Sequence, residues 1–87
     1  MGAAKSYTSF DYKPGKMVPV VASFDTSGHI VPLWVRINGA AYKINSFWIS
    51  SHFLDICEYR CKIIDGDYQK PLTLIYYGKE RIWFIDS

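Results

Sequence analysis

Residues 33–44 read LWVRINGAAYKI, two runs rich in strand-forming residues joined by the pair Asn38-Gly39. An Asn-Gly pair in this setting is the strongest short signal for a two-residue type I′ hairpin turn, and such a turn sets the register of its strands. The expected cross-strand pairs are Ile37 with Ala40, Arg36 with Ala41, Val35 with Tyr42, Trp34 with Lys43 and Leu33 with Ile44. One face of the hairpin is then apolar and the other mixed, because neighbouring residues of a strand point to opposite sides.

The preceding turn, DTSG at residues 25–28, gives an independent indication of the core side. Taken as a four-residue loop, it pairs the strand before it with the first strand of the hairpin. The expected pairs are Val18 with Val35, Val20 with Leu33 and Ala22 with Val31. All of these residues belong to the apolar face, so both turns predict the same core side.

Six β-type segments, separated by turn residues, follow the first sixteen residues of the chain. They are Met17 to Phe24, His29 to Ile37, Ala41 to Ile49, Ile56 to Ile64, Leu72 to Tyr77 and Arg81 to Asp86. The fourth segment alternates cleanly, and its predicted inward residues are Cys57, Tyr59, Cys61 and Ile63. Alternation lapses in SSHFLD at residues 50–55, where a serine cap favours a short helical turn.

Length and composition agree with one small all-β domain. The chain has 87 residues, of which 49% are hydrophobic and 17% aromatic, and no long amphipathic helical pattern is present. Aromatic and β-branched residues favour pleated, half-buried surfaces. We predict a small SH3-like antiparallel barrel of five or six strands at residues 17–87. A flexible N-terminal tail at residues 1–16, with a Pro14-Gly15 breaker, is expected to precede it.

The last two segments, which we call the terminal hairpin (residues 72–86), are apolar on both faces. A small barrel has one interior, so a second copy packed around a two-fold axis would cover the other face. Which residues of the last segment face outward depends on the length of the turn at Gly78-Lys79. We therefore predict a homodimer, with candidate interface residues Ile75, Tyr77, Ile82, Trp83 and Phe84. The aromatic tail residues Tyr7, Phe10 and Tyr12 are the alternative cover.

Three stretches carry a resemblance to a known group of proteins. They are FDTSGHIVPLWVRINGAAYKI at residues 24–44, EYRCKIIDG at residues 58–66 and RIWFID at residues 81–86. The run from Val18 to Asp86 resembles a family of short, uncharacterised bacterial proteins, chiefly from Firmicutes, that are expected to form small β-barrels. Relatives carry a longer, basic insert where this chain has SFWISSHFLDIC at residues 46–57. The resemblance implies a fold and no activity, so no catalytic residue is carried over.

The cysteines and histidines match no familiar catalytic or metal-binding pattern. Cys57 and Cys61 lie in one predicted strand, about 13 Å apart at roughly 3.3 Å per residue, which is too far for a disulfide. We expect both to be buried free thiols. Structural zinc favours CxxC-type pairs on tight turns, which disfavours a site built from these cysteines with His29 and His52. A nucleophilic cysteine lacks a positioned acid, so we predict a non-enzymatic protein without cofactor or metal.

The remaining functional signal is a mixed outer face, which we call the aromatic/basic face. Its residues are Trp34, Arg36, Lys43, Trp48, Arg60 and Lys62. Tryptophan and arginine are preferred anchors of protein interfaces, so we expect an interaction module with a protein partner. A single-stranded nucleic-acid-binding barrel is the alternative, because aromatic and basic side chains also stack bases and follow a phosphate backbone. The structural alternative is that both tryptophans complete the core or lie under the tail.

Charge and targeting features bear on partners and location. Ten Lys and Arg against eight Asp and Glu give a net charge of +2, too low to favour strong nonspecific nucleic-acid binding. No apolar run approaches the roughly 18 residues of a membrane span, and residues 1–16 lack the apolar core of a signal peptide. We therefore expect a cytoplasmic protein without membrane association. The start MGAAKS matches the myristoylation pattern, and we interpret it as a chance match.

Overall fold

The structure, a computed structural model, describes residues 15–86, which form one curled antiparallel sheet of seven strands. The strands are β1 (Met17–Val18), β2 (Val20–Phe24), β3 (Ile30–Ile37), β4 (Ala40–Phe53), β5 (Ile56–Asp65), β6 (Tyr68–Tyr77) and β7 (Ile82–Ile85). Their order in the sheet is β1-β7-β6-β5-β4-β3-β2. The all-β, antiparallel prediction is confirmed, and the strand count is seven instead of five or six.

Pro19 accounts for one added strand, because it divides the predicted first segment into β1 and β2. Val18 in β1 pairs with Trp83 in β7, whereas Val20 in β2 pairs with Val35 in β3. A proline has no backbone N–H to donate, so the ladder is interrupted at this residue. Consecutive strands therefore lie at the two opposite edges of the sheet, and the sheet must curl to bring those edges together.

The predicted tail lies outside the described residues except for Gly15 and Lys16. The carbonyl of Lys16 accepts a hydrogen bond of 2.9 Å from the backbone N–H of Ile85. The β1–β7 pairing thus extends back to Lys16, one residue before the predicted start of the barrel. The proposed cover by Tyr7, Phe10 and Tyr12 also lies outside the described residues.

The Asn38-Gly39 hairpin has the predicted register. Its pairs are Ile37 with Ala40, Arg36 with Ala41, Val35 with Tyr42 and Trp34 with Lys43. Both turn residues have positive φ, 50° for Asn38 and 85° for Gly39, as a type I′ turn requires. The ladder ends at the pair Trp34–Lys43, so the expected pair Leu33–Ile44 does not form.

The predicted pairing of β2 with β3 is wrong, and a β-bulge accounts for one of the two residues by which the register differs. Val21 pairs with Trp34 and Ala22 with Pro32, which leaves Leu33 as the extra residue of the bulge. Leu33 turns outward and is 39% exposed, although the alternation predicted a core position. Val35 keeps its predicted place in the core at 1% exposure.

The β2–β3 turn contributes a further shift of one residue. Phe24 pairs with Ile30, so the loop has five residues, 25–29, instead of four. The carboxylate of Asp25 accepts hydrogen bonds from the backbone N–H groups of Ser27, at 2.8 Å, and His29, at 2.9 Å. These bonds stabilise the charged form, chiefly through His29, and lower the pKa of Asp25.

The helical turn predicted at residues 50–55 is wrong, because β4 continues as a strand to Phe53. Two bulges interrupt its pairing with β5, where Asn45 and Ser50 are the extra residues. Each bulge inserts one residue and shifts the inside–outside alternation by one position. The bulges therefore explain the lapse in alternation that indicated a helical turn.

The core lies on the concave face of the curled sheet. All four predicted inward residues of β5 are buried, Cys57 and Ile63 included, so the alternation predicted for this strand is confirmed. The hydroxyl of Tyr59 donates a hydrogen bond of 2.9 Å to the carbonyl of Ile30, which joins β5 to β3 across the interior. Outside β5, the buried hydrophobic residues of the core are Val18, Val35, Ile44, Leu74 and Trp83.

The register of the terminal hairpin decides which of its residues face inward. Tyr77 pairs with Ile82, which gives a four-residue loop at 78–81. Trp83 therefore faces the core and is 7% exposed, so its predicted place on an outer interface is wrong. Ile75 pairs with Phe84 on the convex face, yet Ile75 is only 6% exposed. The outer strip of this hairpin is more covered than the sequence pattern indicates.

Candidate functional site

All six residues of the aromatic/basic face are exposed on the outer surface of β3, β4 and β5. Trp34 stands directly opposite Lys43, and its exposed fraction is 43%. Trp48 stands directly opposite Arg60, and its exposed fraction is 56%. Each tryptophan of this face is therefore paired across the sheet with a cation, and neither completes the core.

A bulge keeps the two halves of the aromatic/basic face on one side of β4. Lys43 and Trp48 are five residues apart, an odd spacing that would place them on opposite faces of a regular strand. The extra residue Asn45 restores the phase, because Ile44 pairs with Ile63 and Ser46 with Lys62. The structure thus brings together residues whose shared face the sequence pattern alone does not establish.

The aromatic/basic face is positively charged and weakly neutralised within the described residues. The guanidinium of Arg60 lies 3.7 Å from the carboxylate of Glu58, and Arg60 is half-exposed. Exposed ion pairs of this length contribute little to stability. Arg36, Lys43 and Lys62 take part in none of the salt bridges of the described residues. These cations are therefore available to an acidic partner.

A small pocket of about 210 Å³ opens beside Trp34 and Arg36. Its walls are apolar and come from β2 and from the start of β4, with Val21 and Ala41 among the lining residues. Val21 lies here because the bulge in the β2–β3 ladder brings it opposite Trp34. The sequence-based register did not place Val21 near Trp34, so sequence reasoning missed this pocket.

A second feature absent from the sequence prediction is the apolar tip of the β4–β5 hairpin. Phe53 and Leu54 are 69% and 77% exposed, and Ile49 is 43% exposed. Leu54 has a φ of 54°, a left-handed conformation that is costly for a branched side chain. The tip exists because β4 continues as a strand through residues 50–53.

The histidines do not assemble a metal site within the described residues. His29 lies 3.5 Å from Asp25 on an exposed loop, and His52 is exposed opposite Cys57 in the β4–β5 ladder. No group of three or more His, Cys, Asp or Glu side chains in residues 15–86 is close enough to hold a metal ion.

Both cysteines are buried free thiols, as the sequence predicts. Burial raises the pKa of Cys57 and raises the pKa of Cys61 to about 11. Burial in an apolar setting disfavours the thiolate, which is the reactive form of cysteine. The shifts are opposite to those that a nucleophilic cysteine needs.

The raised pKa of Cys61 predicts a loss of stability at alkaline pH. In the unfolded chain a thiol ionises near pH 9, whereas in the folded protein Cys61 stays neutral until about pH 11. The stabilising contribution is therefore complete below pH 9 and is lost as the pH rises through about 11. Urea unfolding between pH 8 and 11 measures this decline, at most about 1.4 kcal/mol per pH unit for one group. A Cys61→Val variant should show a shallower decline, and an unchanged decline would contradict the assignment to Cys61.

Comparison of the chain with protein-family models, with curated proteins and with solved structures finds no match. Inferences about function therefore rest on the side chains and their geometry. Within residues 15–86 there is no helix both long and apolar enough to cross a bilayer.

Proposed function

We propose that this protein is a non-enzymatic interaction module, built on an SH3-like small barrel, that binds an acidic polypeptide segment on its aromatic/basic face. The observation that carries this proposal is the pocket of about 210 Å³ beside Trp34 and Arg36. It combines an apolar cavity with a neighbouring cation, which suits a segment that carries an apolar side chain next to a carboxylate.

The energetics favour such a partner. Burying one apolar side chain contributes about 1.5–3 kcal/mol, and this cavity has room for one large side chain. Tryptophan and arginine are the residue types that most often dominate interface energies. The cations along the face add attraction for acidic residues and speed association at low salt. We therefore expect the pocket to determine which peptides bind. The cations along the face determine how fast they associate.

Panning a random peptide library against the protein tests the proposal. We expect enrichment of peptides in which an aromatic or aliphatic residue is flanked by Asp or Glu. The double variant Trp34→Ala with Arg36→Ala should lose binding to a synthetic enriched peptide while keeping its β circular dichroism. Tyr68→Ala is the matched control, because Tyr68 is 72% exposed and lies at the start of β6, outside the aromatic/basic face. Enrichment that ignores charge, or equal binding by the double variant, would contradict the proposal.

Single-stranded nucleic acid is the second candidate partner for the same face. The specific support is that Trp34 and Trp48 each stand opposite a cation, an arrangement that stacks a base and contacts its phosphate. Fluorescence anisotropy with an oligothymidine probe separates the two candidates. Tight binding that falls steeply between 50 and 200 mM salt would support the nucleic-acid function and displace the peptide proposal.

Self-association through the terminal hairpin is also proposed. Tyr77, Ile82 and Phe84 are half-buried on the convex face, and Met17, which pairs with Phe84, is 60% exposed. A two-fold contact over this strip would remove apolar surface from water. Trp83 is excluded from the strip because it belongs to the core, and Ile75 is excluded as a test residue because a carboxylate there would be buried in the monomer.

Sedimentation across micromolar concentrations tests the dimer, whose mass would be twice the 10.0 kDa of the chain. Phe84→Glu should yield monomers, because two like charges would meet near the dyad. Wild-type protein that sediments as a monomer at every concentration would refute the dimer. Cytoplasmic location and membership of the bacterial small-barrel family stay predictions, the former supported by two unpaired thiols.

A further inference from the structure

A groove of about 890 Å³ opens on the inner side of the curled sheet, and it shares Pro19 and Val20 with the pocket beside Trp34. Residues of β1 and β2 form one wall of the groove. Residues at the end of β6 and the start of β7 form the other wall. Its lining is mainly apolar and includes Met17, Ala22, Phe24, Ile30, Tyr76 and Trp83. Phe24 is 72% exposed and Met17 is 60% exposed, so these apolar walls face water in the single chain. Pockets of roughly 300–1,000 Å³ are the size that binds small organic ligands.

The groove has one charged lining residue within the described chain, Arg81. Arg81 takes part in none of the salt bridges of the described residues, and it is exposed at the rim. No aspartate or glutamate lines the groove, so nothing in its wall neutralises the guanidinium. An apolar channel with one unpaired cation at its mouth has the charge pattern of a site for an apolar anion.

The backbone at Arg81 adds a second, independent observation. Arg81 is the last residue of the loop at 78–81, and it has a φ of 61°. Its N–H donates to the carbonyl of Tyr77 at 2.7 Å, which closes the loop in this conformation. Glycine adopts a left-handed conformation without strain, whereas arginine does so at a cost. Arginine therefore occupies position 81 although the loop conformation there favours glycine.

We propose that this groove binds a single-chain aliphatic carboxylate of the fatty-acid type. The carboxylate would receive two parallel hydrogen bonds from the guanidinium of Arg81, the geometry for which arginine is suited. The aliphatic chain would lie along Phe24 and Ile30, over the floor formed by Trp83. Phosphate-bearing ligands are usually held by several cations or backbone N–H groups, and the groove offers one cation.

The test uses dodecanoate below its micelle concentration, with the fluorescence of Trp83 as the signal. Trp34→Phe and Trp48→Phe remove the other two tryptophans of the chain, both on the opposite face, so the remaining emission reports on the groove floor. We expect saturable binding of dodecanoate, at least ten-fold weaker binding of dodecanol, and no competition by dodecyltrimethylammonium.

Substitutions in the groove then assign the site. Arg81→Gln should weaken dodecanoate binding about ten-fold and leave dodecanol binding unchanged. Arg81→Gly provides a variant whose loop keeps its φ without strain and which should show the same selective loss. Ala22→Phe should narrow the groove without adding a tryptophan, and it should weaken the binding of both ligands. Arg36→Gln, on the aromatic/basic face, is the matched control and should bind dodecanoate as the parent does.

Three results would overturn the proposal. One is equal affinity for dodecanoate and dodecanol, which would mean that Arg81 does not recognise the charge. Another is dodecanoate binding that survives both Arg81 variants. The last is unchanged binding in Ala22→Phe, which would place the ligand elsewhere on the protein. None of these results bears on peptide binding by the aromatic/basic face, so the two proposals fail or hold separately.

Discussion

Replacing Trp83 by alanine should destabilise the protein by about 3–5 kcal/mol, the cost of removing a large aromatic side chain from a core. Trp83 is 7% exposed, and its ring lies 5.3 Å from the ring of Tyr59 and 4.7 Å from the ring of Tyr76, measured between centroids. Alanine leaves a cavity bordered by both of these rings. Urea unfolding followed by far-ultraviolet circular dichroism measures the loss.

The other two tryptophans are matched controls for this prediction. Trp34→Ala and Trp48→Ala should each change stability by less than about 1 kcal/mol, because both side chains lie on the outer surface, 43% and 56% exposed, and typical surface substitutions have small effects. A loss at Trp34 or Trp48 as large as that at Trp83 would mean that the aromatic/basic face is part of the core. Small domains have total stabilities of about 5–15 kcal/mol, so Trp83→Phe offers a milder variant if alanine unfolds the chain.

Leu74→Ala should cost about 2–5 kcal/mol, the range for leucine truncations in well-packed cores. Leu74 is 0% exposed and lies at the centre of β6, with Tyr59 in β5 on one side and Ile85 in β7 on the other. The neighbouring strands are paired on both sides, so the cavity cannot close by moving an edge.

Leu54→Ala is the control for Leu74, since Leu54 is 77% exposed at the tip of the β4–β5 hairpin. Its truncation should change the free energy of unfolding by less than about 0.5 kcal/mol. Equal effects at the two leucines would show that the hairpin tip packs against something in solution. Thermal unfolding of both variants beside the wild type gives a second measure of the difference.

Much of the sheet could be predicted because some of its signals are local. The Asn38-Gly39 pair requires positive φ at two positions and so sets the β3–β4 register without reference to the rest of the molecule. The alternation of β5 is also a local signal, because the spacing of its apolar residues shows which side of the strand faces the core. These two signals sufficed to identify an antiparallel all-β domain and most of its core.

Several of the errors have a common cause in bulges, at Leu33, Asn45 and Ser50. A bulge adds one residue to one strand, and its position depends on which side chains of two distant strands must both reach the core. Local sequence carries little of that information. Leu33 was therefore assigned to the core, and residues 50–53 were assigned to a helical turn.

The candidate sites also differ in how much of each could be predicted from the sequence. Exposure of most residues of the aromatic/basic face could be predicted, because each lies beside a recognisable inward neighbour. The place of Trp48 on that face could not, because it depends on the bulge at Asn45. The pocket next to Trp34 and the groove next to Arg81 could not be predicted. Both are lined by Pro19, the residue at which the chain passes from one edge of the sheet to the other. A cavity is a property of elements that meet in space, and its lining residues are far apart in sequence.

The position of β1 has a consequence for synthesis on the ribosome. Met17 is among the first residues of the sheet to be made, and its partner Phe84 is among the last. Until β7 emerges, β6 and β1 present unpaired backbone edges, and edges of this kind recruit other chains. Closure must therefore wait until residues 82–85 have left the exit tunnel, and a nascent chain that stalls before residue 82 is the species most exposed to aggregation.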